Sequence, residues 1–377
     1  MEDSRRLVAF EADGSTLRVR DALHEGALAL RAGREVDPQP ALTDLFAFPV
    51  DDAVSFETDC LCVSSITSAT LRDESGDHLG MFSGHTVEQP RGTYVLGIEG
   101  SVKVYVRIPD VALTGGYESV ERDDATLRVT LAEPRTVTVG ARSLHERPEA
   151  TITVPDDPAA FAEALPYLGA SIKEFSPERS WPTLRGHPPA ISRGESLRVP
   201  DGLERPETGV TIRVPTTYAS LYEVAPLAYY LGAAVEPAET PELVLANGYV
   251  EPLETPEASL AERADAVLRR TLLMDSLVRV GGYFSNSRYE YEAIAGELPF
   301  YPPELYDATV SDQLMEYLEV SPSLLDRHLP DRPLRATLRD GPAGAELVPH
   351  LVHDLASIAV DRQESRPSGS ADDAVGL

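Results

Sequence analysis

Lysine is almost missing from this chain. Of its 33 basic residues only Lys103 and Lys173 carry an ammonium, and the remainder are arginine. Against them stand 62 acidic residues, for a formal charge of −29. A large acidic excess with so little lysine is the surface of a protein kept soluble in concentrated salt, where self-repulsion is screened within a few ångströms. The charge then reports habitat, and the reading is a salt-accumulating halophile's cytosol. A negative field also excludes nucleic acid and anionic membrane as partners, since both require a basic face.

Cysteine is nearly as scarce. Cys60 and Cys62 are the only two, and on an extended strand they point the same way and do not join, so there is no disulfide framework. Adding His78 and His85 gives no recognised zinc spacing, and no metal is expected there. No run of about 18 apolar residues exists to span a bilayer, and Met1-Glu-Asp-Ser-Arg-Arg6 lacks a signal core. Soluble and cytoplasmic is the expectation.

Catalytic signatures are absent too: no phosphate-binding Gly-x-x-x-x-Gly-Lys loop, no dinucleotide fingerprint, no Gly-x-Ser-x-Gly elbow and no His-Glu-x-x-His helix. The sequence names no catalytic residue, metal or cofactor.

What is present is a duplication. Thr151-Ile-Thr-Val-Pro155 recurs as Thr211-Ile-Arg-Val-Pro215, and the copies close at Leu168-Gly-Ala170 and Leu231-Gly-Ala233. In each, a β-branched strand is followed by capping residues, Asp156-Asp157-Pro158 or Thr216-Thr217, and then by a helical apolar stripe. Pro166 and Pro226 are expected to break those helices, Gly169 and Gly232 to cap them left-handed, and strands to resume at Ser171-Ile172 and Ala234-Val235. Each copy is a strand-helix-strand crossover with parallel strands.

The expected class is α+β, multidomain. Residues 1–149 alternate with a period of two and read as a β-sandwich-like domain, interrupted by one helix from Asp21 to Arg31, where Leu23, Ala27 and Leu30 share a face. Residues 150–253 are the duplicated α/β core, with copies at 150–190 and 210–253. Residues 254–361 form a helical region: a long helix capped by Thr255 with Pro256 first, helices near 287–298, 311–319 and 322–328, then a hairpin from Leu334–Leu338 to Glu346–Val348 and a last helix. Residues 362–377 are polar and expected to be disordered.

One segment has the residue types of a binding site. Ser176-Pro-Glu-Arg-Ser-Trp-Pro-Thr-Leu-Arg-Gly-His-Pro-Pro189 holds the only tryptophan, and Arg179, Trp181, Arg185 and His187 offer an aromatic platform with fork donors for a carboxylate or phosphate. In the cluster Tyr218, Tyr222, Tyr229, Tyr230, the last two are candidates to touch a ligand. His350-x-x-His353-Asp354 has two imidazoles one turn apart but no third metal ligand.

At Ser176-Pro-Glu-Arg-Ser180, Pro182-Thr-Leu-Arg-Gly-His-Pro-Pro189 and Ala225-Pro-Leu-Ala-Tyr-Tyr-Leu-Gly-Ala233 the chain resembles a family of large uncharacterised haloarchaeal proteins. In these, such a region stands ahead of a caspase-like domain of the CHAT type. The resemblance covers roughly residues 40 to 360. It implies a haloarchaeal cytosolic protein associated with a peptidase-like effector. The chain ends in a polar tail where that domain would begin, so no catalytic residue carries over. Two functions are therefore expected. The first is a non-catalytic recognition or regulatory module with a protein partner. The second is a binder or enzyme for a small anionic or sugar-phosphate ligand in the cleft between the copies, which requires Arg179, Arg185 and His187 to converge on one pocket beside Trp181.

Overall fold

Alternating side chains over the first 142 residues place one set of apolar groups on each side of a sheet, and the chain uses both sides. The computed structural model describes residues 7–23, 26–83, 85–119, 125–283 and 289–362. Its N-terminal strands are β1 (Val8–Asp13), β2 (Thr16–Asp21), β3 (Ala27–Ala32), β4 (Gln39–Pro40), β5 (Asp52–Val63), β6 (Ser68–Asp73), β7 (His78–Met81), β8 (Val87–Glu99), β9 (Lys103–Ser119) and β10 (Ala125–Arg142). They form one antiparallel sheet in the order β1-β2-β3-β5-β10-β9-β8-β6-β7, with β4 beside β5. The strands make one continuous hydrogen-bonded ladder, and their inner apolar residues gather into one cluster. Register shifts in β8, β9 and β10 let the long strands bend.

The helix expected over Asp21–Arg31 is instead the end of β2 and all of β3. Leu28, Leu30 and Ala32 are buried in strict alternation with exposed Ala27, Ala29 and Arg31, so pairing with β2 and β5 overrides the weak helical spacing. In β9 both faces are covered. Val104, Val106 and Ile108 join the main β core, while Lys103 and Tyr105 turn to the opposite face, where Phe46, Phe48 and Val95 pack.

Next come β11 (Thr151–Val154), α1 (Pro158–Ala164), a 3-10 stretch over Leu165–Ser171, α2 (Pro182–Arg185) and β12 (Ala190–Arg193). Asp157 caps α1 by accepting from Ala159 N. β11 and β12 are parallel, so the first copy is a crossover. Its return strand is Ala190–Arg193, not Ser171-Ile172, and Gly169 is not left-handed. Residues 172–189 are inserted before the strand that closes the unit.

The second copy is more regular. From β13 (Val210–Val214) the chain enters α3 (Tyr218–Leu231), capped by Thr217, and returns as β14 (Ala234–Pro237), parallel to β13. Pro226 does not break α3. Every residue of that helix is buried, and packing on all sides outweighs the roughly 3 kcal/mol cost of an internal proline. Gly232 ends it at φ 57°, where a Cβ would meet Phe175 and Pro206. An Asn247-Gly248 turn then joins β15 (Glu242–Leu245) to β16 (Val250–Pro252), antiparallel beside β13.

The long helix is α4 (Leu260–Val278). It starts at a capping box of Ser259 and Glu262, not at Thr255-Pro256, whose residues form a turn before it. α5 (Tyr289–Ile294), α6 (Val310–Glu319) and α7 (Pro322–Leu325) follow. The hairpin expected at 334–348 is a third crossover: β17 (Arg335–Arg339), a 3-10 turn, α8 (Val348–His353) and β18 (Ser357–Asp361), with β17 and β18 parallel. Its mark in the sequence is Glu346-Leu-Val-Pro349, matching Glu163-Ala-Leu-Pro166 and Glu223-Val-Ala-Pro226. One hydrophobic cluster runs from Ile152 to Ile358, so the crossovers and helices share a core. The tail from 363 lies outside the described residues.

Candidate functional site

The inserted segment 172–189 brings arginine and histidine to the centre of the fold, and the fold consumes them. Arg179 is fully buried, with Nη2 donating to Asp275 Oδ1 at 2.8 Å and both Nη atoms 3.2 Å from Gln313 Oε1. Tyr230 donates to Asp275 Oδ2 at 2.7 Å and Tyr317 to Oδ1 at 3.1 Å. Burial pushes the Asp275 carboxyl up to about 6, and the facing guanidinium and phenols hold it from going further. Arg185 Nη1 donates to the carbonyls of Arg179 and Ser180, at 2.8 and 3.0 Å. Tyr229 donates to Gly186 O at 2.9 Å, and burial pushes its phenol up to about 12.

His187 sits among histidines. Its Nδ1 is 2.7 Å from Pro188 O, its Nε2 is 3.2 Å from His350 Nδ1, and its ring stacks on His353 at 4.7 Å. His145 completes the group from the end of the β domain. It is buried, with both ring nitrogens unpartnered among the described residues, and burial, then Lys173, His187 and His353, push it down to about 3. Gly186 passes so close that a Cβ would lie 2.6 Å from His145 Nδ1. Among the described residues no cluster of His, Cys, Asp or Glu is placed to hold a metal ion. Cys60 and Cys62 are unjoined, their sulfurs 3.9 Å apart.

Arg179, Arg185 and His187 therefore do not converge on a concave pocket. Each ends on backbone or on a side chain from another element. Tyr229 and Tyr230 are buried and hydrogen-bonded within the fold. Trp181 alone of the six candidates is exposed, at 37 %, with the Arg279 guanidinium 4.3 Å above its ring.

Concave surfaces are built elsewhere, one of about 370 Å³ between α4, α6 and α7 among them. A groove of about 960 Å³ lies between the first two crossovers, from Ala159–Tyr167 across residues 203–211 to β14 and residues 244–246. Glu163, Glu204, Glu207 and Glu236 line it against one cation, Arg205, which lies 5.5 Å over the Tyr167 ring. Another cavity of about 290 Å³ sits where the β sheet meets the crossovers and the end of α4. Lys103 and Arg142 from the sheet, Glu178 and Trp181 from the insert, and Tyr283 after α4 line it. Burial pushes the Glu178 carboxyl up to about 7 against the Tyr283 amide and Arg279. Burial, then Arg142 and Arg72, push the Lys103 ammonium down to about 7 although it pairs with Glu99. Glu99 is 46 % exposed and its charge is spent largely on water.

No family model, curated protein or solved structure matches the chain. The site is thus read from its own geometry. Among the described residues no helix is long and apolar enough to cross a membrane. Sequence reasoning missed Asp275, Gln313 and Tyr317, each distant in sequence from Arg179. It also missed Lys103, whose rarity was the available signal.

Proposed function

We propose that this protein is a non-catalytic recognition module of a high-salt cytosol, which receives an extended segment of a protein partner in the groove between its first two crossovers. The observation that carries this reading is the groove itself. It is 960 Å³, and along it runs β14, which among the described strands pairs only with β13. A strand with one open edge offers backbone donors and acceptors to an incoming segment, and pockets along the groove select its side chains. Four carboxylates to one guanidinium favour a segment carrying arginine or lysine. The same balance disfavours a small anion between the copies. The resemblance to regions that stand ahead of CHAT-type domains supplies the class of partner, a peptidase-like effector.

The test is co-purification from native high-salt lysate with cross-linking to map the contact, comparing the wild type with Ala162→Trp, which fills the groove from the α1 side. The reading expects a stoichiometric partner cross-linked to β14 and lost with Ala162→Trp, with thermal stability unchanged. Retention of the partner by Ala162→Trp, or a small molecule co-purifying with no protein, would overturn it. Arg185→Ala would serve poorly, because Arg185 holds two backbone carbonyls inside the fold.

A further inference from the structure

Lys103 and Arg142 are direct partners in the register of β9 and β10. They are 8 % and 5 % exposed, and both line the seam cavity. Like charges directly opposite one another are destabilising on any sheet, and burial removes the water that would screen them. Arg72 adds a third cation from β6, held to the carbonyls of Gly76 and Tyr283 and lying 4.9 Å from the Phe48 ring. The Arg142 Nε is buried without a partner among the described residues, and its Nη1 reaches only Pro49 O at 3.4 Å. A chain that has discarded nearly all lysine has kept one in this position. Glu99 answers Lys103 at the cavity wall, but among the described residues no carboxylate pairs with Arg142.

The other walls say which kind of anion fits there. Phe48 stacks on Tyr105 at 4.8 Å and 4°, and Tyr283 meets Phe48 at 4.6 Å. Trp181 forms the rim. A volume of 290 Å³ holds on the order of ten non-hydrogen atoms at about 30 Å³ each. Glu178 Oε2 is buried and unpartnered among the described residues. With its carboxyl pushed up to about 7, it is protonated in half the molecules at neutral pH and then donates a hydrogen bond.

We propose that the seam cavity is a binding site for a small planar aromatic monocarboxylate, its carboxylate received by Lys103 and Arg142 and its ring lying against the aromatic walls. With Lys103 paired to Glu99, a single further negative charge answers Arg142, and a flat ring matches the apolar faces of Phe48, Tyr105 and Tyr283. This site is separate from the partner groove, so either assignment can fail alone.

The experiment is calorimetric titration of the full chain in its stabilising salt at a pH below 7, where Lys103 is charged, with benzoate, benzamide and inorganic phosphate. Benzoate is expected to bind, and benzamide, its neutral isostere, to bind at least tenfold more weakly, as loss of a charge-assisted contact predicts. Lys103→Met keeps the volume and removes a buried cation, so it should stay folded and lose benzoate by tenfold or more. Thr183→Trp narrows the cavity from the exposed rim with both cations intact, and should also lose it. No benzoate binding to the wild type would overturn the proposal. So would equal binding of benzamide, tighter binding of phosphate, or unchanged affinity in folded Lys103→Met.

Discussion

The protein buries two groups of cations, and it treats them in opposite ways. Around Arg179 both Nη atoms face acceptors, with Asp275 as counter-ion and Gln313, Tyr230 and Tyr317 completing the shell, and Nε is left without a partner among the described residues. At the seam, Lys103 faces Arg142 across two strands, and an arginine nitrogen and a carboxylate oxygen stay unpartnered among the described residues. Both groups are cationic, aromatic-walled and buried. The difference is the counter-ion: Asp275 is buried against Arg179, whereas among the described residues no carboxylate pairs with Arg142. A buried ion pair with its hydrogen bonds specifies a fold, whereas a like-charge pair beside a cavity leaves room for an anion.

Breaking the buried ion pair should have the largest effect. Asp275→Ala leaves the Arg179 guanidinium buried without its counter-ion, and a loss of about 3–5 kcal/mol is expected in chemical denaturation. Arg179→Met with Asp275→Leu together should cost clearly less than the sum of the singles, which a double-mutant cycle measures.

Glu178 sharpens the comparison from the seam side. Its folded pKa, about 7, lies above the unfolded value, so its stabilising contribution is complete below about 4.5 and is lost as pH rises through 7. At pH 8 the ionised group should cost about 2–3 kcal/mol relative to acid conditions. His145 works the other way, its contribution present above about 6.5 and lost as pH falls through 3. The difference between wild type and Glu178→Gln across pH 4 to 8 isolates the carboxyl, and a flat difference would remove it from the account.

A smaller effect is expected at the start of α3. Thr217 accepts from Ser220 N at 3.2 Å, and Thr217→Ala should cost about 1 kcal/mol by thermal melting, as caps generally do.

Local signals were legible where chemistry and tertiary structure agree. The second crossover could be read except at Pro226, because Thr217 and Gly232 each carry a local reason for their place, while the burial that carries the helix through the proline does not. The third could not. Asp340-Gly-Pro reads as a turn between strands, and only Glu346-Leu-Val-Pro349 tied it to its two predecessors. The first copy was misread at its end because Ser171-Ile172 has the strand residues, yet the parallel pairing falls to Ala190–Arg193 after the insert. Arg179, Arg185 and His187 have the residue types of a binding loop. What decides their role is Asp275, Gln313 and His350, which sequence spacing does not bring near. Lys103 and Arg142 become partners only through the register of β9 and β10, so their conflict was invisible without the sheet.

The most direct test is the unfolding free energy of Lys103→Met measured beside Arg179→Met under one set of salt conditions. Lys103→Met is expected to be at least as stable as the wild type, since it removes a buried like charge, while Arg179→Met falls by several kcal/mol. Equal losses in the two variants would mean that Lys103 is as fully partnered as Arg179, and would contradict the division of the buried cations into architecture and site.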